Sequence, residues 1–244
     1  MKKLTVILPA AGKGSRLNLP YPKEILRVNK DKALIDNSFN LFHGLGRNDV
    51  EFIVVINEEK TEIIKYLSKY KSQYNISFTF QNPNEVEYTG AIKSAKHLFG
   101  ENNIVLLPDT ILTLPDGVNL VNELYSNLEE NGFTFLFKSE SKKKMLHTKG
   151  CLQLDKDLRV IDYEDKPLKN LNWFNGYWCA FAFKKEVFEE CISFMEQSTL
   201  KLEKCDILIE QTSIFRSKVI LVEDYKDLGT WEEIGKLLSK KHDS

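Results

Sequence analysis

The sequence predicts an α/β fold, a three-layer αβα arrangement with a mainly parallel sheet and a small antiparallel insertion. Three observations predict it. Short β-branched apolar runs, "LTVIL", "EFIVVI", "ISFTF" and "NIVLL", read as strands buried on both faces. Amphipathic stretches alternate with them, which puts helices on both faces of one sheet. After about Lys138 the pattern changes to "GCLQLD" and "LRVIDYE" joined by "KD", a hairpin-like pair.

Taken in order, "LTVIL" runs into Pro9 and a glycine-rich stretch, so the first strand stops there. "ALIDNSFNLFHGL" spaces Leu34, Phe39, Phe42 and Leu45 as a helix does. "EFIVVI" is the second strand, and "EEKTEIIKYLSKY" carries Ile63, Ile64 and Leu67 on one stripe with lysines opposite. "ISFTF" is the third strand, "GAIKSAKHLF" the third helix, and "NIVLL" the fourth strand, ending at Pro108 and Asp109. "VNLVNELYSNLEENG" is a helix with Gly132 as its stop signal, leading into the strand "FTFLF". "SESKKKM" is a charged loop, in which Lys142 to Lys144 read as a solvated segment and not a nucleic-acid patch. "YWCAFAF" is a strand and "KEVFEECISFMEQ" an amphipathic helix; strand "KVILVE", loop "DYKDLGT" and helix "WEEIGKLLSKK" close the sequence. Trp173, Phe174, Tyr177 and Trp178 crowd one segment as packing residues, with one ring available to stack on a ligand.

Composition excludes several functions. Lys plus Arg number 34 against 35 for Asp plus Glu, so no global field attracts nucleic acid or an anionic membrane, and any anion site is local. The first apolar run is shorter than the roughly 7–15 residues of a secretory segment or the about 20 of a spanning helix. The expectation is a soluble, cytoplasmic protein with no membrane and no nucleic-acid partner. Cys151, Cys179, Cys191 and Cys205 form no C-x-x-C pair, and His43, His97, His147 and His242 are scattered. Reduced, buried thiols are expected, with neither a zinc site nor a disulfide framework.

The stretch "ILPAAGKGSRLNLPYPKE" raises the functional question. A strand entering a glycine-rich turn presents backbone N–H groups to an oxyanion, and glycine lets the anion approach closely. Pro9, Ala10, Ala11, Gly12, Lys13, Gly14 and Ser15 make that turn. It lacks the P-loop spacing, and Leu17 stands where a dinucleotide fingerprint has its third glycine. Alone, the turn equally suits a tight strand-to-helix connection. Arg16, a fork of donors, and Lys23, a point charge behind the stiff Pro20–Tyr21–Pro22, shift the weight towards a grip on two phosphates.

With these residues in hand, the sequence resembles the sugar-1-phosphate nucleotidylyltransferases, or NDP-sugar pyrophosphorylases, whose signature runs G-x-G-[ST]-R-[LM] followed by P-K. "AAGKGSRL" and "PYPKE" match it, in spellings most like bacterial glucose-1-phosphate uridylyl- and thymidylyltransferases, with a shorter gap between Arg16 and Lys23. The resemblance implies a Rossmann-like fold of the nucleotide-diphospho-sugar transferase type. One nucleotidyltransferase domain is expected over 1–244, with a nucleotide half to about 138 and an acceptor half from about 139. It also implies Mg2+ on Asp109 in "LLPDT" and Asp227 in "DLGT", each of which would otherwise pass for a turn former or cap. "EDKP" resembles the family's E-K-P, with Asp165 in the acidic position, Lys166 in the basic one and Glu164 as a possible substitute for Asp165. Gly150, Asn175 and Gly176 resemble sugar-side turns, and "TGAIKSA", with Thr89 and Gly90, resembles the base-reading segment.

The implied reaction is Mg-dependent attack of a sugar 1-phosphate on the α-phosphate of an NTP, UTP or dTTP favoured, yielding NDP-sugar, a polysaccharide precursor, and pyrophosphate. Arg16 is assigned to the β- and γ-phosphates, Lys23 to the α-phosphate and Lys166 to the incoming phosphate. Three alternatives stay open: a cytidylyltransferase acting on a non-sugar phosphate such as phosphocholine, a glycosyltransferase, and a non-catalytic sugar-nucleotide-sensing module. Partners are then the NTP, the phosphorylated acceptor and possibly further copies of the chain.

Overall fold

The computed structural model describes residues 3–85, 87–200 and 207–239. Cys205, His242 and the last lysines of the final predicted helix lie outside the described residues. The strands are β1 (Leu4–Pro9), β2 (Val50–Ile56), β3 (Asn75–Phe80), β4 (Asn102–Leu106), β5 (Thr110–Thr113), β6 (Phe133–Ser139), β7 (Gly150–Leu154), β8 (Val160–Asp165), β9 (Gly176–Lys184), β10 (Ile220–Leu221) and β11 (Asp224–Asp227). The α-helices are α1 (Asp36–Asn40), α2 (Glu62–Leu67), α3 (Glu87–Ser94), α4 (Leu120–Asn131), α5 (Phe188–Leu200) and α6 (Trp231–Ser239). This is the predicted α/β class, with a mainly parallel central sheet and a small antiparallel one.

The chain divides into two compact units that interleave in sequence: residues 1–99, 105–112 and 224–244 form one, and residues 100–104 and 113–223 the other. In the first unit, β1 pairs parallel with β2 from Leu4 opposite Val50 to Pro9 opposite Val55, and β2 pairs parallel with β3. Leu4, Val6, Ile7 and Leu8 are fully buried, as expected for a strand covered on both faces. Each such side chain contributes about 1.5–3 kcal/mol on burial. The predicted helix over 33–45 is cut to five residues. Ile35 at its start makes no side-chain cap; Asp36 Oδ2 instead accepts from Ala33 N at 2.8 Å, in the turn before the helix. Asn37 and Asn40 are weak helix formers, and Gly44 at φ 91° turns the chain away. Phe39 nevertheless fills its core place, stacked on Phe52 at 4.1 Å and Tyr70 at 4.3 Å.

Two strands were not anticipated. "TILT" and "DYKD" form a separate two-stranded sheet of β5 and β11, so the predicted loop "DYKDLGT" is a strand up to Asp227. At four residues, with two apolar residues side by side in β5 and a mostly polar β11, neither carries an apolar alternation to betray it. Beyond them, Leu228 and Ile234 pack with Leu17, Val28 and Leu34 in a small cluster.

In the second unit, β6 pairs antiparallel with β9, β7 antiparallel with β8 and β9, and β10 parallel with β6. Helix α4 ends as predicted at Gly132, left-handed at φ 72° with its N–H on Leu128 O, and it starts after Asn119, whose side chain accepts from Asn122 N. The core is aromatic, with Phe133, Phe135, Phe181 and Phe183 all buried. "KVILVE" yields only the two-residue β10, and the lysine loop holds a 3-10 turn over Lys143–Thr148. No helix among the described residues is long and apolar enough to cross a membrane.

Candidate functional site

The glycine loop leaves the sheet at a defined point. Ala10 N donates to Val55 O at 2.8 Å, continuing the β1–β2 ladder, and Ala11 O then accepts from Asn57 Nδ2 at 2.8 Å. From Gly12 to Arg16 the chain is exposed except for half-buried Gly14. Gly14 is left-handed at φ 65°, a conformation that disfavours a side chain. A Cβ there would lie 3.6 Å from Lys23 Cδ, so the lysine stem crosses this glycine. The loop does not run into a helix; it closes through Leu17 N on Gly14 O and reaches a 3-10 turn at Lys23–Ile25. Any anion here therefore meets loop amides and side-chain cations, without a helix dipole.

Lys23 Nζ lies 2.5 Å from Asp109 Oδ2, and both side chains are mostly buried. Leu228 N donates to Asp109 O at 3.0 Å, which brings the backbone of the Asp227 segment beside Asp109. Asp227 Oδ1 accepts from Gly229 N at 3.0 Å. A Cβ on Gly229 would lie 3.0 Å from Asp227 Oδ1 and 3.2 Å from an Arg16 guanidinium nitrogen, so this glycine gives both groups room. Trp231 Nε1 donates to Leu17 O at 3.1 Å and ties the segment to the loop. Four predicted residues, Arg16, Lys23, Asp109 and Asp227, thus come together in the first unit. Among the described residues no group of three or more His, Cys, Asp or Glu forms a metal cluster.

A cleft of about 1130 Å³ opens over this loop, lined by Pro9, Ala11 to Arg16, Lys23 and Gly229. Its other wall was not anticipated: Asn57, Phe80, Gln81, Asn82, Glu85, Tyr88 and Ala91 line it. Most follow the carboxyl ends of β2 and β3, where open parallel sheets bind ligands, and that rule was the available signal. Phe80 is 54% exposed, a large ring facing the cleft. Ala10, Thr89 and Gly90 do not line it. Thr89 is buried, and a Cβ on Gly90 would fall 2.7 Å from the Glu85 backbone, so this glycine serves close packing.

In the second unit, Gly150 pairs with Asp165 and Cys151 with Glu164 across β7 and β8. Asp165 is buried and Glu164 exposed, because successive strand residues leave on opposite faces; the two carboxylates cannot face one ligand together. Lys166, left-handed at φ 49°, holds its Nζ 3.3 Å from Asp165 Oδ2 and stays half-exposed. Asn175 spends its side chain on structure, accepting from Leu154 N at 2.5 Å. A Cβ at Gly150 would stand 1.9 Å from Trp178 Nε1, and one at Gly176 2.1 Å from Lys138 O, so both glycines are required by packing. Cys151, Cys179 and Cys191 are free and buried. Burial, reinforced by Asp165 and Glu164, pushes the Cys151 thiol up to about 12.

The family model described as Nucleotidyl transferase matches residues 4–244. A 2-C-methyl-D-erythritol 4-phosphate cytidylyltransferase from Fusobacterium nucleatum subsp. nucleatum is 29% identical over 111 residues, 44% of this chain and 46% of that protein. The match thus spans less than half of that curated relative. Among solved structures, a protein described as a glucose-1-phosphate thymidylyltransferase from Bacillus anthracis, in complex with sucrose, superposes with a TM-score of 0.74 at 18% identity, covering 99% of this chain and 96% of the other. UTP-bound UGPase from Acinetobacter baumannii superposes at 0.71 and 15% identity, covering 99% and 93%. At these identities the likeness is one of fold.

Proposed function

The chain belongs to the nucleotidyl transferase family, and from that premise we propose that it transfers a nucleoside monophosphate from an NTP, UTP or dTTP in preference, to a sugar 1-phosphate. The observation that carries this reading is the joining of Arg16, Lys23 and the exposed glycine-loop amides along one cleft large enough for a nucleotide. A phosphate oxygen of the acceptor attacks the α-phosphorus, the bond to the β-phosphate oxygen breaks, and pyrophosphate leaves.

A phosphate monoester has its second pKa near about 6, so the nucleophile is mostly ionised at neutral pH and no general base is required. The barrier is the approach of anions, since unit like charges about 4 Å apart repel by roughly 4 kcal/mol at an effective dielectric of 20. Loop amides and Arg16 take the leaving β- and γ-phosphates, and Lys23 takes the α-phosphate. Lys166, the exposed cation of the "EDKP" corner, takes the acceptor phosphate. Two carboxylates suit Mg2+, which binds few protein ligands and completes its shell with water and phosphate oxygens. Asp109 and Asp227 would hold it; when bound, it supplies charge neutralisation at the phosphates.

A second reading has one specific support. The curated relative transfers a cytidylyl group to a non-sugar phosphate by its name, so CTP with a polyol phosphate is the competing pair. Pyrophosphate release over a grid of four NTPs and of sugar 1-phosphates, polyol phosphates and phosphocholine, with and without Mg2+, tests both. Turnover with UTP or dTTP and a sugar 1-phosphate supports the first, and turnover only with CTP and a non-sugar acceptor replaces it by the second. Release with no acceptor pair would reject transfer altogether.

A further inference from the structure

Glu24 follows Lys23 in the same 3-10 turn, yet its side chain goes inward and is 1% exposed. Its Oε1 accepts from Lys60 Nζ at 2.7 Å, and the Lys60 side chain is itself 6% exposed. Glu24 Oε2 is buried without any hydrogen-bond partner. Burial pushes the Glu24 carboxyl up and the Lys60 ammonium down, each only partly offset by the other. A buried ion pair with an unsatisfied oxygen stabilises a fold less than apolar residues of the same volume do. Stability alone therefore does not account for it.

Its placement does. Lys60 closes the 3-10 turn Glu58–Lys60, whose cap residue Asn57 accepts from Glu59 N through Oδ1 and donates to Ala11 O through Nδ2. One short turn after β2 thus holds both ends of the glycine loop, Ala11 through Asn57 and Glu24 through Lys60. On its other side Glu24 O accepts from Ile35 N at 2.9 Å, so the backbone under Lys23 is held from two directions.

We propose that the turn at residues 57–60 is the positioning element of the phosphate loop, and that the Glu24–Lys60 pair fixes the 3-10 turn from which Lys23 reaches the α-phosphate. Glu24 and Lys60 are positioning residues that act through Lys23. The inference rests on the Lys23 role given above.

The test uses the full chain, the best substrate pair from the grid, and thermal unfolding as a control. The double variant E24L/K60M removes both charges at similar volume and is expected to keep the Tm. Its kcat should fall about 10–100-fold, the scale of a misplaced group. In a Lys23→Ala background the same pair of changes should cost nothing further, because the effects run through one residue; a merely structural role would add to the Lys23→Ala loss. Lys60→Arg, which keeps the pair, should retain most activity. Wild-type kcat in a folded E24L/K60M, or full additivity with Lys23→Ala, overturns the inference. If the double variant does not fold, Lys60→Gln, which leaves Glu24 a shorter donor, takes its place with the same two criteria. Lys23→Ala alone separates the two levels: wild-type turnover there sinks the Lys23 role itself, whereas its loss beside an active E24L/K60M sinks only the positioning role.

Discussion

Lys23 Nζ and Asp109 Oδ2 stand 2.5 Å apart, so the cation that crosses the glycine loop is held by a carboxylate of the same unit. Each neutralises the other in a mostly dry setting. Lys23→Ala is therefore expected to lower transfer by about 100-fold or more, the scale of losing one preorganised donor. Asp109→Asn leaves an acceptor oxygen for Lys23 and removes the negative charge. Its expected signature is a higher Mg2+ requirement in pyrophosphate release together with a lower Tm, because the mostly buried Lys23 ammonium loses its counterion; an unaltered Mg2+ titration would remove Asp109 from the metal site.

Gly12 and Gly14 separate conformational need from access. A Cβ at Gly12 meets nothing within 4 Å, and no left-handed φ is involved, so Gly12→Ala should leave stability unchanged to within about 0.5 kcal/mol. The methyl would nevertheless sit where a phosphate approaches the amides, and the KM for NTP should rise about tenfold, equivalent to about 1.4 kcal/mol. Gly14→Ala, at φ 65°, should instead lower the Tm. An unchanged KM in Gly12→Ala would show that nucleotide does not use these amides.

What was legible in the sequence had local causes. β1, β2 and α4 were readable because unbroken apolar runs and a terminal Gly132 act within a few residues, whereas the cap at Asn119 went unread. β5 and β11 were not, because each is only four residues long and gains its ladder from the other, far along the chain. In the site, Arg16 and Lys23 were visible in one contiguous motif. Asn57, Lys60 and Phe80 were not, since each matters through a tertiary contact that no spacing announces. Gly90, Gly150 and Gly176 resemble ligand-side glycines in the sequence, and the structure adds what no motif shows: a Cβ at each would lie 2.7 Å or less from a neighbouring atom.

The thiols should be silent in the native state. Cys179 and Cys191 are pushed up by burial, and Cys151 to about 12, so almost no thiolate exists at mild pH. Relative to a value of 9.0, a rise to about 12 lowers the reactive fraction by about 1000-fold. In a Cys205→Ser variant, iodoacetamide labelling at about pH 8 should be at least about 100-fold slower than in denaturant, and should climb with pH only as the fold opens. Native labelling within tenfold of the denatured rate would contradict the burial of these three side chains.

Phe80 ends β3 and is 54% exposed. It lies on the wall of the same cleft as Gly12 and Lys23, so a flat ligand part could cover it. Base stacking on an aromatic side chain contributes about 1–3 kcal/mol by alanine substitution. Phe80→Ala should thus raise the KM for NTP by about 5–150-fold while leaving kcat at saturation nearly intact, since stacking is equal in ground and transition states. Because every base has a π-face, the loss should be similar for all NTPs that the protein accepts. A loss confined to one base would instead make Phe80 a selectivity residue, and no loss at all would place the base away from the end of β3.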